Sequence, residues 1–530
     1  MRKFHFFLLS LLSGIVLSLP WIIQAPGYFL FFAFLPLFYA EKFRTTCGTL
    51  QNSFILSYPT FFIWNVLSTW WIAYVSLPGM LFIVAANAFL MSFVWWAGNQ
   101  MKRVLGLLPG YFSLIVFWMS FEFLSHRGVL PWPWLTLGNG FANSIRFVQW
   151  YEFTGVLGGS LWILLVNVLI FEAFNAIKQI RSMRFVRLII SLFAILLFPV
   201  LVSLYLYLSY AETGKTQHVL VLQPNIDPYT EKFSGMSGEV QMTRLMQLTE
   251  QSMSDSTDLI LAPETALPII WEDSLFAGNE GLNEIRTTIQ PYPNISFIAG
   301  AITKRKNYNS LVPIGNKSMQ SRSVYNSYNS AVLINAMKDP QFSHKTILVA
   351  GVEKAPFREY FTFLSDFLLD PGGSTGELSP GEEPMLFKTK SGELVGPVIC
   401  FESVFGNYVR QLVVNGAGCL VVLTNDGWWK QSAGVWQHFG YAKIRAIETR
   451  RSIIQSANTG ISGCINQRGD ILSSSKVSET CVIKCDVCLN HQLTFYVIYG
   501  DYLGKWSLLL SLFIVWYGFI YRRKDIKNPH

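Results

Sequence analysis

Seven apolar runs crowd the first 210 residues, and an eighth closes the chain. They lie near 4–20, 25–40, 53–74, 79–98, 105–124, 151–175, 187–209 and 505–521. A helix that crosses a bilayer needs about 20 apolar residues. Runs of this length and number leave a soluble globular fold no way to bury them. Composition agrees, with 51% hydrophobic and only 14% charged residues over 530 positions. A soluble domain carries nearer a quarter of charged residues. The opening MRKFHFFLLSLLSG has the look of a signal peptide. No clear small-x-small cleavage site follows it and further runs do, so it is read as an anchor.

The charges between the runs set an orientation. Arg2 and Lys3 precede the first run, and Lys42 and Arg44 follow the second. Lys102 and Arg103 follow the fourth, Lys178, Arg181, Arg184 and Arg187 the sixth, and Arg522, Arg523 and Lys524 the eighth. The turns at 24–27 and 76–79 carry no charge. Positive charge stays on the cytoplasmic side. This predicts both termini in the cytoplasm, with the 125–150 loop and everything from 211 to 504 on the other face. The domain division is then 1–210, a membrane domain of seven helices; 211–504, an extracytoplasmic domain; and 505–530, the last helix and a basic tail. The net charge of +8 lies largely in these clusters. No basic stripe interleaved with aromatics marks the polar domain, so nucleic acid is not expected as a partner.

Residues 211–504 alternate short β-branched runs with polar stretches. Strands are predicted at 218–223, 258–262, 295–302, 330–335, 395–399, 419–424, 451–457 and 481–487, and helices at 238–253 and 437–449. Continuous rather than alternating apolar runs indicate strands covered on both faces, in a layered α/β domain. Six of the seven cysteines fall here, where disulfides are permitted. The CVIKCDVC stretch at 481–488 has spacings unlike a zinc site and no histidine cluster near it, so no metal is expected. Cofactor motifs are missing too: no G-x-G-x-x-G follows a strand, and there is no phosphate loop and no H-E-x-x-H.

The strand ends carry the chemistry. DLILA runs into Pro263-Glu264-Thr265, and VGPVI into Cys400-Phe401-Glu402. CLVVLT runs into Asn425-Asp426-Gly427-Trp428-Trp429. Polar groups at such strand ends converge on ligand crevices. Asn-Asp-Gly also reads as an ordinary turn, whereas neither Cys nor Phe is a turn former.

Glu264 in LAPETALP, Lys345 in HKTILVAGVEKAPF and Cys400 in VICFES resemble the Glu-Lys-Cys triad of the nitrilase superfamily. Seven runs, such a domain and one last run resemble the layout of the apolipoprotein N-acyltransferase family. The stretches LPWPWLTLGNGF (130–141), VLQPNI (221–226), YNSA (328–331), LTNDGWW (423–429) and RAIETRRSIIQSANTGISG (445–463) are similar to that family as well. Two places depart from it: Ala350 stands where the family has proline, and Phe233 where a tryptophan is common.

The resemblance implies a multi-span helical membrane bundle carrying an extracytoplasmic nitrilase-like α-β-β-α sandwich. It implies Cys400 as nucleophile, Glu264 as base and Lys345 as oxyanion partner, with Phe401 N–H a second donor. Glu353, Glu402, Asn329, Asn425 and Trp428 are the expected supporting pocket. A phospholipid, typically phosphatidylethanolamine, is the implied acyl donor, and a diacylated apolipoprotein the acceptor. The expected location is the inner membrane, multi-pass, with the catalytic domain periplasmic and the chain a monomer. Trp132, Trp134, Trp428 and Trp429 are interface candidates or plain packing. A membrane-anchored amidase using water, and a transporter or sensor with an outer binding domain, are the competing readings. Few ionisable residues interrupt the apolar runs, which speaks against transport; Glu122 is the main exception.

Overall fold

The computed structural model describes residues 2–46, 52–128, 130–233, 235–274, 279–292, 294–307, 324–354 and 378–527. The chain divides into two compact units, Met1–Ala211 with Thr494–His530, and Glu212–Leu493.

Among the described residues of the first unit, six helices are long and apolar enough to cross a membrane: Phe4–Ile22, Leu77–Leu105, Leu107–Ser125, Val156–Ala176, Met183–Ser209 and Tyr502–Tyr521. The run expected as a span at 25–40 is not one helix. It is a 3-10 stretch, Gly27–Phe32, followed by the helix Leu35–Thr46 of 12 residues. At 1.5 Å per residue that helix reaches about 18 Å, short of a bilayer core of about 30 Å. Pro26 and Gly27 break the run, and the Phe141 ring fills the place where a Gly27 side chain would start. Asn167 satisfies the interrupted backbone: its amide donates to Leu30 O at 2.8 Å and its oxygen accepts Phe34 N at 2.9 Å. Non-helical backbone within an apolar bundle needs such partners. The run at 53–74 becomes the 17-residue helix Ser53–Thr69 and a 3-10 turn, Trp70–Tyr74. None of the most apolar window of Met183–Ser209 is buried, as suits a helix facing lipid.

The LPWPWLTLGNGF stretch folds as irregular backbone and 3-10 turns pinned from several helices. Glu122 Oε1 accepts Leu137 N at 2.9 Å, Ser160 Oγ accepts Gly138 N at 3.0 Å, and Tyr151 donates to Gly138 O at 3.0 Å. Glu122 is therefore a buried strut. Trp134, 1% exposed, packs between Trp71 and Trp132 rather than standing at an interface.

The second unit is a sandwich of two sheets. Its strands are β1 (Thr216–Gln223), β2 (Leu259–Leu261), β3 (Leu267–Trp271), β4 (Ser296–Asn307), β5 (Val324–Asn335), β6 (Lys338–His344), β7 (Phe387–Lys388), β8 (Leu394–Ile399), β9 (Cys419–Thr424), β10 (Ile453–Ala457), β11 (Gly463–Ile465), β12 (Ile471–Ser474) and β13 (Cys481–Cys488). One sheet runs β13-β1-β2-β4-β5-β6 with β3 beside β4, and the other β12-β11-β10-β9-β8-β7. Each has a parallel centre, β1-β2-β4 or β8-β9-β10, and antiparallel margins.

Side chains alternate across a strand. Val219 and Val221 of β1 meet Val421, Leu423 and Ile454 between the sheets. Leu220 and Leu222 face outward onto Met242, Leu245 and Met246 of the helix Gly238–Glu250 and onto Ile285 of Glu280–Ile289. Both faces are covered, which explains the unbroken apolar runs. The helices Gly406–Val414 and Ala433–Thr449 cover the other sheet. Strand β6 escapes the sequence pattern because KDPQFSH is polar and holds a proline. Among the described residues it pairs only with β5, and a sheet edge tolerates proline. Cys464 of β11 and Cys485 of β13 form a disulfide that ties one sheet to the other; Cys400, Cys419, Cys481 and Cys488 are free.

Candidate active site

Glu264 lies just beyond β2, in a turn whose next residue, Thr265, has φ of 51°. Strand β4 passes so close that a side chain at Gly300 would lie 2.5 Å from Glu264 Cα, so only glycine lets the two meet. Lys345 follows β6 directly, and its N–H donates to Asn329 O on β5 at 2.8 Å.

Cys400 ends β8 with φ of 51°, the left-handed region, which costs a non-glycine residue about 1–2 kcal/mol. The chain then coils into a five-residue 3-10 turn, Cys400–Val404. Glu402, fully buried, holds this elbow. Its Oε2 accepts Ile399 N at 2.9 Å, while Oε1 accepts Thr346 N at 2.7 Å, the Thr346 hydroxyl at 3.1 Å and Ile347 N at 3.2 Å. The elbow of Cys400 is thereby bonded to the segment just after Lys345. Burial pushes the Glu402 pKa up against those donors.

The charged cluster is tight. Lys345, 1% exposed, donates to Glu353 Oε1 at 2.9 Å and to Glu264 Oε1 at 3.4 Å. Asn329 Nδ2 bridges the same two oxygens, at 2.7 Å to Glu264 and 2.9 Å to Glu353. Val349 N donates to Glu353 Oε2 at 2.8 Å. Burial opposes the Lys345 charge, but Glu353, Glu264 and Cys400 outweigh it and hold the ammonium above its ordinary range. Burial pushes the Cys400 thiol well up, the Glu264 charge adds to this, and Lys345 pulls it back. The resting thiol is protonated and needs a base beside it to react.

The carboxylates Glu264, Glu353 and Glu402 differ in one respect. Both oxygens of Glu353 and both of Glu402 accept hydrogen bonds. Glu264 accepts through Oε1 alone among the described residues. It is the carboxylate with an oxygen open to take a proton.

The remaining pocket residues fall into two groups. Trp428 stacks on Phe233 at 5.5 Å and meets Tyr229 edge-on, and Tyr229 donates to Trp428 O at 2.7 Å. Phe233 thus supports one face of the Trp428 ring. Phe401 packs edge-on against Phe405. Asn425 Oδ1 accepts from Asn458 Nδ2 at 3.1 Å, tying the ends of β9 and β10. Residues 355–357 of the HKTILVAGVEKAPF stretch lie outside the described residues.

Two groups were not foreseen from sequence. Lys232, 7% exposed, donates to Glu264 O at 3.0 Å; burial pushes it down to about 8, with Glu264 opposing. His438 and Asp426, both fully buried, lie under Cys400. Only a position next to Phe233 and a place within NDGWW hinted at Lys232 and Asp426. Nothing local marked His438.

Two family profiles match the chain. The Apolipoprotein N-acyltransferase N-terminal domain matches residues 13–169, and Carbon-nitrogen hydrolase matches residues 222–491. A Chlorobaculum tepidum protein named Apolipoprotein N-acyltransferase is 27% identical, covering 93% of each chain. Namesakes from Geobacter metallireducens and Thermotoga maritima are 26% identical over 98% of this chain and 96% of theirs, and 27% identical over 98% and 94%. Among solved structures, a nitrilase-superfamily protein of Saccharomyces cerevisiae superposes with a TM-score of 0.38 at 14% identity, covering 53% of this chain and 92% of that one.

Proposed function

This chain belongs to the carbon-nitrogen hydrolase family, in its apolipoprotein N-acyltransferase branch, and from that premise we propose how its site works and on which lipids. The protein is a membrane-embedded acyltransferase that delivers an acyl group to an apolipoprotein in lipoprotein maturation. The reading of its site is a Glu264-Lys345-Cys400 triad. The observation that carries it is a buried lysine bridging two carboxylates beside a left-handed cysteine at a strand end.

Glu264 takes the thiol proton, and the thiolate attacks the ester carbonyl of a phospholipid, phosphatidylethanolamine being the typical donor. The oxyanion forms against Lys345 Nζ and the Phe401 N–H. The C–O bond breaks, Glu264 returns the proton to the departing glycerol oxygen, and a lyso-lipid leaves a thioester on Cys400. The α-amine of an S-diacylglyceryl cysteine then attacks that thioester and loses its proton to Glu264. The amide forms, and Cys400 is regenerated as the sulfur takes the proton back. One site serves two substrates in turn, as in ping-pong kinetics. The stacked Trp428 and Phe233 supply an apolar wall that helps exclude water while the thioester waits.

The test uses purified enzyme and phospholipid alone. The expected result is a stable acyl adduct on Cys400 by mass spectrometry, discharged onto nitrogen when a diacylated lipopeptide is added. Steady release of free fatty acid without acceptor makes the protein a hydrolase and sinks the reading.

The location we propose is the inner membrane, with Glu212–Leu493 on the periplasmic side and the chain acting as a monomer. The basic clusters support the orientation. The Cys464–Cys485 disulfide supports it separately, since such bonds persist outside the reducing cytoplasm. Reporters fused at Lys178 and Asp255 are expected on opposite sides of the membrane; finding both on one side overturns the topology.

A further inference from the structure

Under the nucleophile lies a polar chain that the mechanism above does not use. Thr424 donates to Asp426 Oδ1 at 2.6 Å, and His438 Nδ1 lies 2.9 Å from the same oxygen. His438 Nε2 lies 2.7 Å from Ser403 Oγ and 3.2 Å from the carbonyl oxygen of Cys400. Ser403 Oγ itself donates to that carbonyl at 2.9 Å. His438, Asp426 and Ser403 are each no more than 1% exposed.

A carboxylate only accepts, so the His438 Nδ1 that faces Asp426 carries a hydrogen. Its Nε2 lies within hydrogen-bond distance of both Ser403 Oγ and the Cys400 carbonyl. Burial works against a charge on the ring, but Asp426 and the Cys400 carbonyl outweigh it and raise its pKa. Ser403 Oγ and His438 Nε2 thus meet the Cys400 carbonyl together.

A trans peptide is planar, and its C=O and N–H point in opposite directions. Clamping the Cys400 carbonyl therefore also fixes the N–H of Phe401. We propose that His438 is a positioning residue for the oxyanion donor. Held by Asp426, it fastens the Cys400 carbonyl so that the Phe401 N–H of the same peptide is aimed away from the clamp, at the oxyanion formed on Cys400. The clamp also restrains the left-handed conformation of Cys400. This inference rests on Cys400 as the nucleophile but not on the identity of the lipid donor.

The experiment compares two reactions of Cys400 in the full-length protein. In the first, a p-nitrophenyl acyl ester acylates the thiol: an S–C bond forms, the ester C–O bond breaks, and p-nitrophenolate leaves. That path passes through an oxyanion. In the second, iodoacetamide alkylates the same thiol by displacing iodide, with no oxyanion. His438→Ala is expected to slow acylation roughly 10²-fold, the scale of losing one oxyanion donor. Alkylation is expected to change no more than a few-fold. His438→Gln keeps an amide N–H near the Nε2 position and should recover roughly tenfold over His438→Ala. If His438→Ala does not fold, the acylation-to-alkylation ratio of His438→Gln against wild type, and its further fall in a Ser403→Ala background, carry the same information. Equal losses in the two reactions overturn the proposal, as does a His438→Ala ratio equal to wild type, or a His438→Gln no better than His438→Ala. A wild-type protein that takes no acyl group on Cys400 overturns the nucleophile itself, and the proposal with it.

Discussion

Cys400→Ser is expected to lower acyl transfer to lipopeptide by at least about 10⁴-fold, roughly 5 kcal/mol of barrier. The loss has two sources. A serine hydroxyl is far harder to ionise than a thiol, and Glu264 is a carboxylate, too weak a base to remove its proton. Any acyl group that did reach oxygen would form an ester, which expels its alkoxide far less readily than a thioester expels its thiolate when the amine attacks. Sterics do not contribute, because serine is smaller than cysteine and is no more strained at φ of 51°. The variant should therefore keep the wild-type melting temperature. The measurement is turnover of labelled phospholipid in the presence of lipopeptide, with mass spectrometry of the tryptic peptide that contains position 400. Turnover within tenfold of wild type would place the nucleophile elsewhere.

Glu264→Gln is expected to abolish accumulation of the Cys400 thioester, with a rate loss of roughly 10²- to 10⁴-fold. The geometry makes this substitution unusually clean. Asn329 Nδ2 and Lys345 Nζ both reach Glu264 through Oε1, which glutamine supplies unchanged. The new NH2 group takes the place of Oε2, the oxygen that accepts no hydrogen bond among the described residues. Glu353 still pairs with Lys345 at 2.9 Å, so the ammonium stays compensated. What is lost is the proton acceptor and one of the two negative charges that face Lys345. Normal acylation by this variant would return the role to Glu353 or Glu402, whose oxygens would first have to release Val349 N, or Thr346 N and Ile399 N.

Of the proposed triad, Glu264 and Cys400 were legible as residue types at strand ends, and Lys345 only through the family resemblance. Pro-Glu-Thr after DLILA and Cys-Phe-Glu after VGPVI put chemical side chains where an apolar run had to stop, and such positions rarely serve packing. Eight strands, β1, β2, β4, β5, β8, β9, β10 and β13, were legible because β-branched runs flanked by turn residues report their own environment. Strands β3, β6, β7, β11 and β12 were not: β3 is five residues that open on Leu-Pro just after the Glu264 turn, and the others are short or polar and take their order from a neighbouring strand. The span expected at 25–40 failed for a related reason. Hydropathy registers the apolar side chains, but Pro26-Gly27, the Phe141 ring and the Asn167 amide decide whether the backbone stays helical.

The sequence by itself determined the membrane unit, the layered α/β unit and the reactive residue types, Glu264 and Cys400, at two strand ends, because each is written in neighbouring residues or in runs of one character. Only the tertiary structure decided that Lys345 bridges a glutamate 81 residues upstream and another 8 downstream. It also decided that, of Glu264, Glu353 and Glu402, Glu264 accepts through one oxygen only among the described residues, that Cys464 pairs with Cys485, and that His438, 38 residues beyond Cys400, lies beneath it. Those facts depend on distances between segments that the sheets bring together. A hydrogen bond is sensitive to a few tenths of an ångström, whereas residue order constrains such separations only through the fold.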